Sequence, residues 1–174
     1  RSTPEQVIEG LQYADMERLM LDDISLLDNQ SRITLTAVPD RPGVAAEIFE
    51  TVAKQGVFVD MIVQSYDGES ETNSISFTIP RDQFDACLKI LSSMKDRVGE
   101  VTSSRDIAKL SVSGIGLRSH TSVAINMFEA LASRGINIQM INTSELRVNV
   151  VIDGAQAKVG LDALQNKFRS LQQI

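Results

Sequence analysis

The stretch that decides the fold is ITLTAVPDRPGVAAEIFETVAKQGVFVDMIVQS, Ile33 to Ser65, because it recurs as LSVSGIGLRSHTSVAINMFEALASRGINIQMINTS, Leu110 to Ser144. Five matched pairs each lie 79 positions apart: Phe49 and Phe128, Ala53 and Ala132, Gly56 and Gly135, Met61 and Met140, and Ser65 and Ser144. A repeat of this length is a small domain rather than a solenoid unit. The sequence therefore predicts two copies of one module of about 70 residues.

Within the first copy, the apolar period changes between that of a strand and that of a helix. Ile33 and Leu35 alternate with threonines, which indicates a strand with one buried face. Two prolines and a glycine then favour a turn, and Gly56 follows the next apolar stretch where a helix ends. The predicted elements are strand 33–37, turn 39–43, a helix over 44–55, strands 57–63 and 75–79, a helix over 84–91 and a short strand 98–101.

The second copy repeats this order but lacks chain for its last strand. Its predicted elements are strand 110–114, a helix over 123–133, strands 136–141 and 146–152, and a helix over 155–171. Both copies predict an α+β, ferredoxin-like βαββαβ plan, in which helices cover one face of a mainly antiparallel sheet. We expect an N-terminal segment 1–31, a first domain 32–104 and a second domain 105–174, which strand 8–14 completes.

Charge and composition exclude several classes of protein. The net charge of −6 argues against a nucleic acid or an anionic membrane as partner. No apolar run approaches the roughly 18 residues of a transmembrane helix, and no signal peptide is visible. Cys87 is the single cysteine, which excludes an internal disulfide and predicts a cytoplasmic location. Because the chain begins with Arg1 rather than Met, we expect it to be a fragment of a longer protein.

The turn after the first strand carries the best candidates for binding chemistry. Gly43 allows a ligand to approach the backbone, and the helix that follows offers free N–H groups and the positive end of its dipole to a carboxylate. Asp40 could bind an ammonium group. Asp40, Pro42 and Gly43 could therefore hold both ends of a free α-amino acid. The alternative is a tight turn in which Asp40 only caps the helix.

Catalytic signatures are missing from the sequence. His120 is the only histidine, so neither a metal cluster nor a repeated catalytic dyad can form from histidines. Ser119 is adjacent to His120 in sequence, where the two side chains rarely face each other, and no phosphate-binding glycine loop occurs. Met61, Met140 and Cys87 are typical of core positions. We predict no catalytic residue, no metal site and no cofactor in this chain.

Several segments resemble a known family. In the first copy they are VPDRPGVA from Val38 and ISFTIPR from Ile75; in the second they are GIGLRSH from Gly114, MFEAL from Met127 and GINIQMINTSE from Gly135. Together they resemble tandem ACT domains, and specifically the regulatory region of aspartate kinases. The segment IEGLQYA from Ile8 resembles the entry strand of that family, which joins the second module.

This resemblance implies a dimeric sensor, acting through its ACT domains, for a kinase domain that binds ATP and magnesium and lies outside this chain. The expected effector is threonine, lysine or both, as feedback inhibitors of amino-acid biosynthesis. One implied pocket comprises Asp40, Gly43, Val44, Ala45 and Gln64, with Asn137 and Ile138 from an opposing module. A second comprises Met61, Ser119, His120, Ser122, Val123, Thr143, Ser144 and Glu145. The alternatives are a dimerisation module without a ligand, or an amino-acid sensor attached to another metabolic enzyme.

Overall fold

The computed structural model describes residues 20–115 and 120–172. Its elements, in chain order, are β1 (Met20–Pro39), α1 (Val44–Lys54), β2 (Ile62–Asp67), β3 (Thr72–Pro80), α2 (Phe84–Ser92), α3 (Lys95–Val98), β4 (Glu100–Ile115), α4 (His120–Ala132), β5 (Met140–Ser144), β6 (Arg147–Asp153) and α5 (Ala157–Gln172). Short 3-10 turns, Arg81–Gln83 and Gly154–Gln156, precede α2 and α5. No helix among the described residues is long and apolar enough to cross a membrane.

Two compact units divide the chain. The first module is Leu27–Ala108 with Asp153–Ala155; the second comprises, of the described residues, 20–26, 109–115, 120–152 and 156–172. The first module therefore includes 27–31 and 105–108 in addition to the predicted range 32–104. Strands β1 and β4 each contribute one part to either module.

The first module has the strand order β2-β3-β1-β4, with β3 antiparallel to both β1 and β2. Ile33 pairs with Phe77 in the centre of the sheet, and both side chains are fully buried. Phe77 meets Phe49 of α1 edge to face, with 5.3 Å between ring centroids. Residues of α1 and α2, among them Ile48, Val52, Cys87 and Leu91, complete one apolar cluster with the inward side chains of the strands. This arrangement confirms the predicted α+β, ferredoxin-like class.

The second module repeats the plan, with the order β1-β4-β6-β5. Strand β5 pairs antiparallel to β6, with Met140 opposite Val151. The N-terminal part of β1 adjoins β4, where the Ser113 hydroxyl lies 3.4 Å from the Asp23 carbonyl oxygen that accepts its hydrogen bond. The strand at this edge therefore includes 20–26. The predicted strand 8–14 lies outside the described residues.

Some predicted boundaries were wrong. Of the strand predicted at 98–101, only residues 100 and 101 are strand; they begin the single strand β4, which also contains the strand predicted at 110–114. Val98 is instead the last residue of α3. Residues 57–61 and 136–139 are not strands, although their apolar residues alternate, and β2 and β5 begin only at Ile62 and Met140. In the first module the pairing becomes irregular at Met61, whose N–H donates to the Thr78 hydroxyl at 3.0 Å. Asp60 and Met61 keep backbone hydrogen bonds to Thr78, so two residues lie opposite one. Burial of alternate side chains does not require a continuous ladder.

Helix α4 also departs from the prediction, because it begins at His120 rather than near Val123. The equivalent helix α1 begins at Val44, directly after a glycine in the left-handed conformation. Thr121 and Ser122 can adopt helical backbone angles, whereas Gly43 with φ of 91° is outside the helical range. The first turn of α4 therefore includes residues that the repeat alone assigns to the preceding loop.

Candidate functional site

The turn between β1 and α1 is fixed by backbone hydrogen bonds. The Asp40 N–H donates to the Glu71 carbonyl at 3.1 Å, which ties the turn to the start of β3. The Arg41 N–H donates to the Pro39 carbonyl at 3.0 Å. Gly43 has φ of 91°, a conformation that glycine adopts readily and other residues rarely do. The chain therefore enters α1 along one defined path.

Helix α1 begins at this turn without a side-chain cap. Its first hydrogen bond of helical spacing joins the Glu47 N–H to the Gly43 carbonyl at 3.0 Å. The first N–H groups of a helix have no partner within it, and they lie at the positive end of the helix dipole. Asp40 does not cap the helix, which contradicts the alternative in which capping is its role. An anion would find both N–H donors and a favourable potential here.

A cavity of about 370 Å³ opens at this helix start. Its lining residues come from the end of β1, the turn, the first residues of α1, and strands β2 and β3: Val38, Pro39, Asp40, Arg41, Pro42, Gly43, Val44, Ala45, Gln64, Asn73 and Ile75. Five predicted site residues are brought together in this lining: Asp40, Gly43, Val44, Ala45 and Gln64. The lining contains one carboxylate, Asp40, and one guanidinium, Arg41, and it includes the start of α1.

Among the lining residues that sequence reasoning did not assign to the site, Asn73 contributes a buried polar side chain. Its Nδ2 donates to Asp40 Oδ1 at 3.0 Å, and the residue is 7% exposed. Asn73 continues the alternation of Ile75, Phe77 and Ile79, whose side chains are buried. A polar residue in the inward register of an apolar strand is the signal that could have identified it, because buried polar groups require a partner.

The remaining residues of the first predicted pocket, Asn137 and Ile138, belong to the second module, just before β5. Asn137 is exposed and Ile138 is half-buried. Their segment 136–140 has the same burial pattern as 57–61 in the first module, which supports the equivalence of the two copies. Their contribution to a pocket stays a prediction.

The second predicted pocket is described only in part. Ser119 lies outside the described residues, and His120 is the first residue of α4. Val123 is buried, Ser122 is half-buried, and Met61 is buried in the first module. Thr143, Ser144 and Glu145 are exposed at the end of β5 and in the hairpin after it. This pocket stays a prediction.

Other potentially reactive groups belong to the core or are scattered. Burial raises the pKa of the Cys87 thiol to about 11, so the thiol stays protonated at neutral pH. Within residues 20–115 and 120–172, no group of three or more His, Cys, Asp or Glu side chains could hold a metal ion. The cavity at the start of α1 is therefore the site for which the described chain offers organised polar groups.

Comparison with known proteins gives one consistent result. A family model described as the ACT domain matches residues 36–94 and 110–168. An aspartate kinase from Pseudomonas fluorescens (strain SBW25) is 40% identical over 155 residues, which are 88% of this chain and 37% of that protein. The chain thus spans just over a third of the length of this curated relative.

Solved structures agree with this result. The regulatory subunit of aspartate kinase from Thermus flavus is 37% identical with a TM-score of 0.77, covering 85% of this chain and 98% of that one. A structure described as aspartokinase alpha and beta subunits is 40% identical with a TM-score of 0.77, covering 86% and 99%.

Proposed function

Because the chain belongs to the ACT-domain family, as a tandem regulatory region of the aspartate kinase type, we propose that it binds a free amino acid and controls an attached kinase. The observation that carries this proposal is the cavity at the start of α1. It combines an exposed carboxylate, Asp40, with an uncapped helix N-terminus. An α-amino acid carries the two complementary charges, an ammonium and a carboxylate.

In the proposed complex, the carboxylate of the effector binds at the N-terminus of α1, beside Val44 and Ala45. The Val44 N–H donates to the Arg41 carbonyl at 3.3 Å, so the N–H of Ala45 is the donor that we assign to the carboxylate. Asp40 binds the ammonium group, and Gln64 at the opposite wall contributes a polar contact. A Cβ at Gly43 would meet nothing within 4 Å, so the space beside this glycine is open to the ligand. Asn137 and Ile138 of an opposing ACT module would close the pocket, as the resemblance to the family implies.

The proposed effector is threonine, lysine or both, as end products that inhibit the pathway leading to them. The whole protein would transfer a phosphoryl group from ATP to aspartate, with ATP and magnesium bound in a kinase domain or subunit outside this chain. Inhibition requires that the effector binds one arrangement of the ACT modules more tightly than the other, because equal affinity shifts no equilibrium.

We further propose that two copies of the chain associate through their ACT domains, at the edge strand β2. This strand lies at the end of the sheet order and is exposed along most of its length. Ile62 is 46% exposed and Tyr66 is 64% exposed, which is unusual for side chains on the inward register of a sheet. An unpaired edge with apolar side chains is suited to pairing with another chain.

Ligand binding is tested first by thermal unfolding of the chain with each of the twenty amino acids at millimolar concentration. A ligand at about 100 times its Kd stabilises the folded chain by roughly 2.7 kcal/mol, which corresponds to a shift of several degrees. A shift with threonine or lysine supports the proposed effectors. A shift with a different amino acid would support the role as an amino-acid sensor but identify another ligand. The regulated enzyme would then also be a different one.

Calorimetry then tests the role of Asp40. Asp40→Ala should lower the affinity for the effector at least tenfold without changing the fold, because it removes the counter-charge of the ammonium group. Glu50→Ala is the matched control, since Glu50 is an exposed carboxylate of α1 outside the cavity lining. Unchanged affinity in Asp40→Ala would remove Asp40 from the site.

The second candidate function is a dimerisation module without a ligand, which the exposed apolar side chains of β2 favour. It predicts no thermal shift with any amino acid but a loss of dimers in Ile62→Lys. Sedimentation measures this loss, with Val159→Lys as control, because Val159 is comparably exposed on α5.

A further inference from the structure

Asn73 lies at the inner wall of the cavity, in strand β3. It pairs with Val38 of β1 and with Tyr66 of β2, so it is in the middle of three strands. The residue is 7% exposed and shares its side of the strand with buried Ile75. A polar side chain in such a position adds nothing to the apolar core, and its hydrogen bonds therefore identify its role.

The carboxylate of Asp40 fixes the orientation of the Asn73 amide. A carboxylate only accepts hydrogen bonds, so the amide must present its Nδ2 there, and the distance from Nδ2 to Asp40 Oδ1 is 3.0 Å. The carbonyl end, Oδ1, is therefore not used in the bond to Asp40. This Oδ1 atom is buried and has no hydrogen-bond partner among residues 20–115 and 120–172. A buried acceptor without a donor destabilises the state in which it occurs, and a donor that arrives there is bound more tightly.

We infer that Asn73 is a specificity-determining residue of the amino-acid site, in which its Oδ1 accepts a hydrogen bond from the ammonium group that Asp40 attracts. This inference rests on the proposed function. An ammonium group has three N–H donors and can bond to the carboxylate and to the amide oxygen together. The pair supplies one charged and one neutral acceptor, which favours a cation and disfavours a second carboxylate. Asn73 also orients Asp40 through Nδ2, so both acceptors are preorganised.

The experiment measures binding of L-threonine and L-lysine to the 174-residue chain by calorimetry, in three forms: unchanged, Asn73→Leu and Asn73→Asp. Leucine has a similar volume and no acceptor, and we expect it to lower the affinity by about 10- to 100-fold, as for loss of a hydrogen bond to a charged group. Aspartate keeps an oxygen acceptor but replaces the Nδ2 donor to Asp40 by a second carboxylate oxygen, so it should lower the affinity, by less than leucine does. The thermal unfolding midpoint of the ligand-free chain should not fall in Asn73→Leu, because the unpartnered Oδ1 is removed as well.

The outcomes separate this inference from the proposed function. Binding by the unchanged chain with equal binding by Asn73→Leu would overturn the role of Asn73 and leave the sensor intact. Equal loss in Asn73→Leu and Asn73→Asp would overturn the acceptor role. A much lower thermal unfolding midpoint of the ligand-free Asn73→Leu chain would show that Asn73 has a structural role instead. Binding of neither amino acid by the unchanged chain would overturn the proposed effectors, and this inference with them.

Discussion

The turn before α1 and the turn before α4 occupy the same place in the repeat, yet their helices begin at different positions. Val44 is the first residue of α1, whereas its equivalent Val123 is the fourth residue of α4. The N–H of Val44 donates to the Arg41 carbonyl at 3.3 Å, a bond of the turn rather than of the helix. The difference follows from Gly43, whose left-handed backbone ends the helix. One residue thus sets the position at which the helix begins at this point of the repeat.

The first module has another glycine with positive φ, Gly99, which follows α3 and lies against β1, and its replacement should have the largest effect. Gly99 has φ of 63°, and an added Cβ would overlap the Thr36 carbonyl oxygen and lie 2.8 Å from that of Ala37. Gly99→Ala should destabilise the chain by about 3 kcal/mol, through overpacking and left-handed strain together. Urea unfolding measures the loss.

Gly56→Ala separates these two causes. Gly56 has φ of 81° but nothing within 4 Å of an added Cβ, so only backbone strain applies, about 1–2 kcal/mol. Equal losses of stability in Gly99→Ala and Gly56→Ala would show that the contact of residue 99 with β1 is not important. The turn at Gly99 would then be held by its own hydrogen bonds.

Gly43→Ser gives the first turn the residue that the second has at Ser122, and therefore tests the comparison directly. We expect a loss of about 1–2 kcal/mol from left-handed strain, and at least tenfold weaker binding of the effector. The control is Gly68→Ser, because Gly68 is outside the left-handed region and a Cβ there meets only the flexible Tyr66 side chain. A variant that binds normally would show that the helix start is not part of the site.

Replacement of Ala37, in the same region, should increase the stability of the chain. Ala37 lies in β1 with φ of 56°, between Leu35 and Val38, where the pairing with β3 changes register. Ala37→Gly relieves strain of about 1–2 kcal/mol, and the more flexible unfolded chain offsets about half of it. The expected gain of roughly 0.5–1 kcal/mol appears as a higher urea midpoint with an unchanged slope. A loss would mean that the Ala37 methyl group packs usefully.

The sequence predicts the repeated order of strands and helices well, because the spacing of the apolar residues reflects which side chains each element buries. Residues such as Ile75 and Phe77 alternate in the strand, and residues such as Ile48 and Val52 follow the helix, so their burial is implied by pattern alone. The turn residues Asp40 and Gly43 could be identified in the same way, since few residue types suit a left-handed turn at a helix start. Five residues of the cavity lining follow from this reasoning and the resemblance.

The rest depends on contacts between segments that are distant in sequence. The pairing becomes irregular at Met61, opposite Thr78, where alternation alone predicts a continuous strand. The continuity of β4 depends on pairing partners on both sides, and no local signal distinguishes it from two short strands. Asn73 reaches Asp40 only because the sheet aligns β3 with the end of β1. The period of the apolar residues predicts on which face of a strand or helix a residue lies. It does not predict which distant residue the side chain contacts.

The hairpins of the two modules give the smallest predicted effect. Strands β2 and β3 are joined by Gly68–Glu71, whereas only Glu145 and Leu146 join β5 and β6. In the longer hairpin, the Ser70 hydroxyl donates to Asp67 Oδ2 at 2.6 Å, and this bond, followed by the Glu69 N–H, lowers the pKa of Asp67. A lowered folded pKa stabilises the fold above the unfolded value of about 4, and this contribution is lost as the pH falls through the folded pKa.

Ser70→Ala should therefore unfold at a slightly lower temperature than the unchanged chain at pH 7, and the difference should vanish at acidic pH, where the Asp67 carboxylate is protonated. Ser93→Ala is the control, because its hydroxyl donates to the Ile90 carbonyl, which does not titrate. Its effect should be the same at both pH values. A pH-independent effect in Ser70→Ala would show that the hydroxyl acts through Thr72, its other partner, and that the hairpin is ordered without the charge of Asp67.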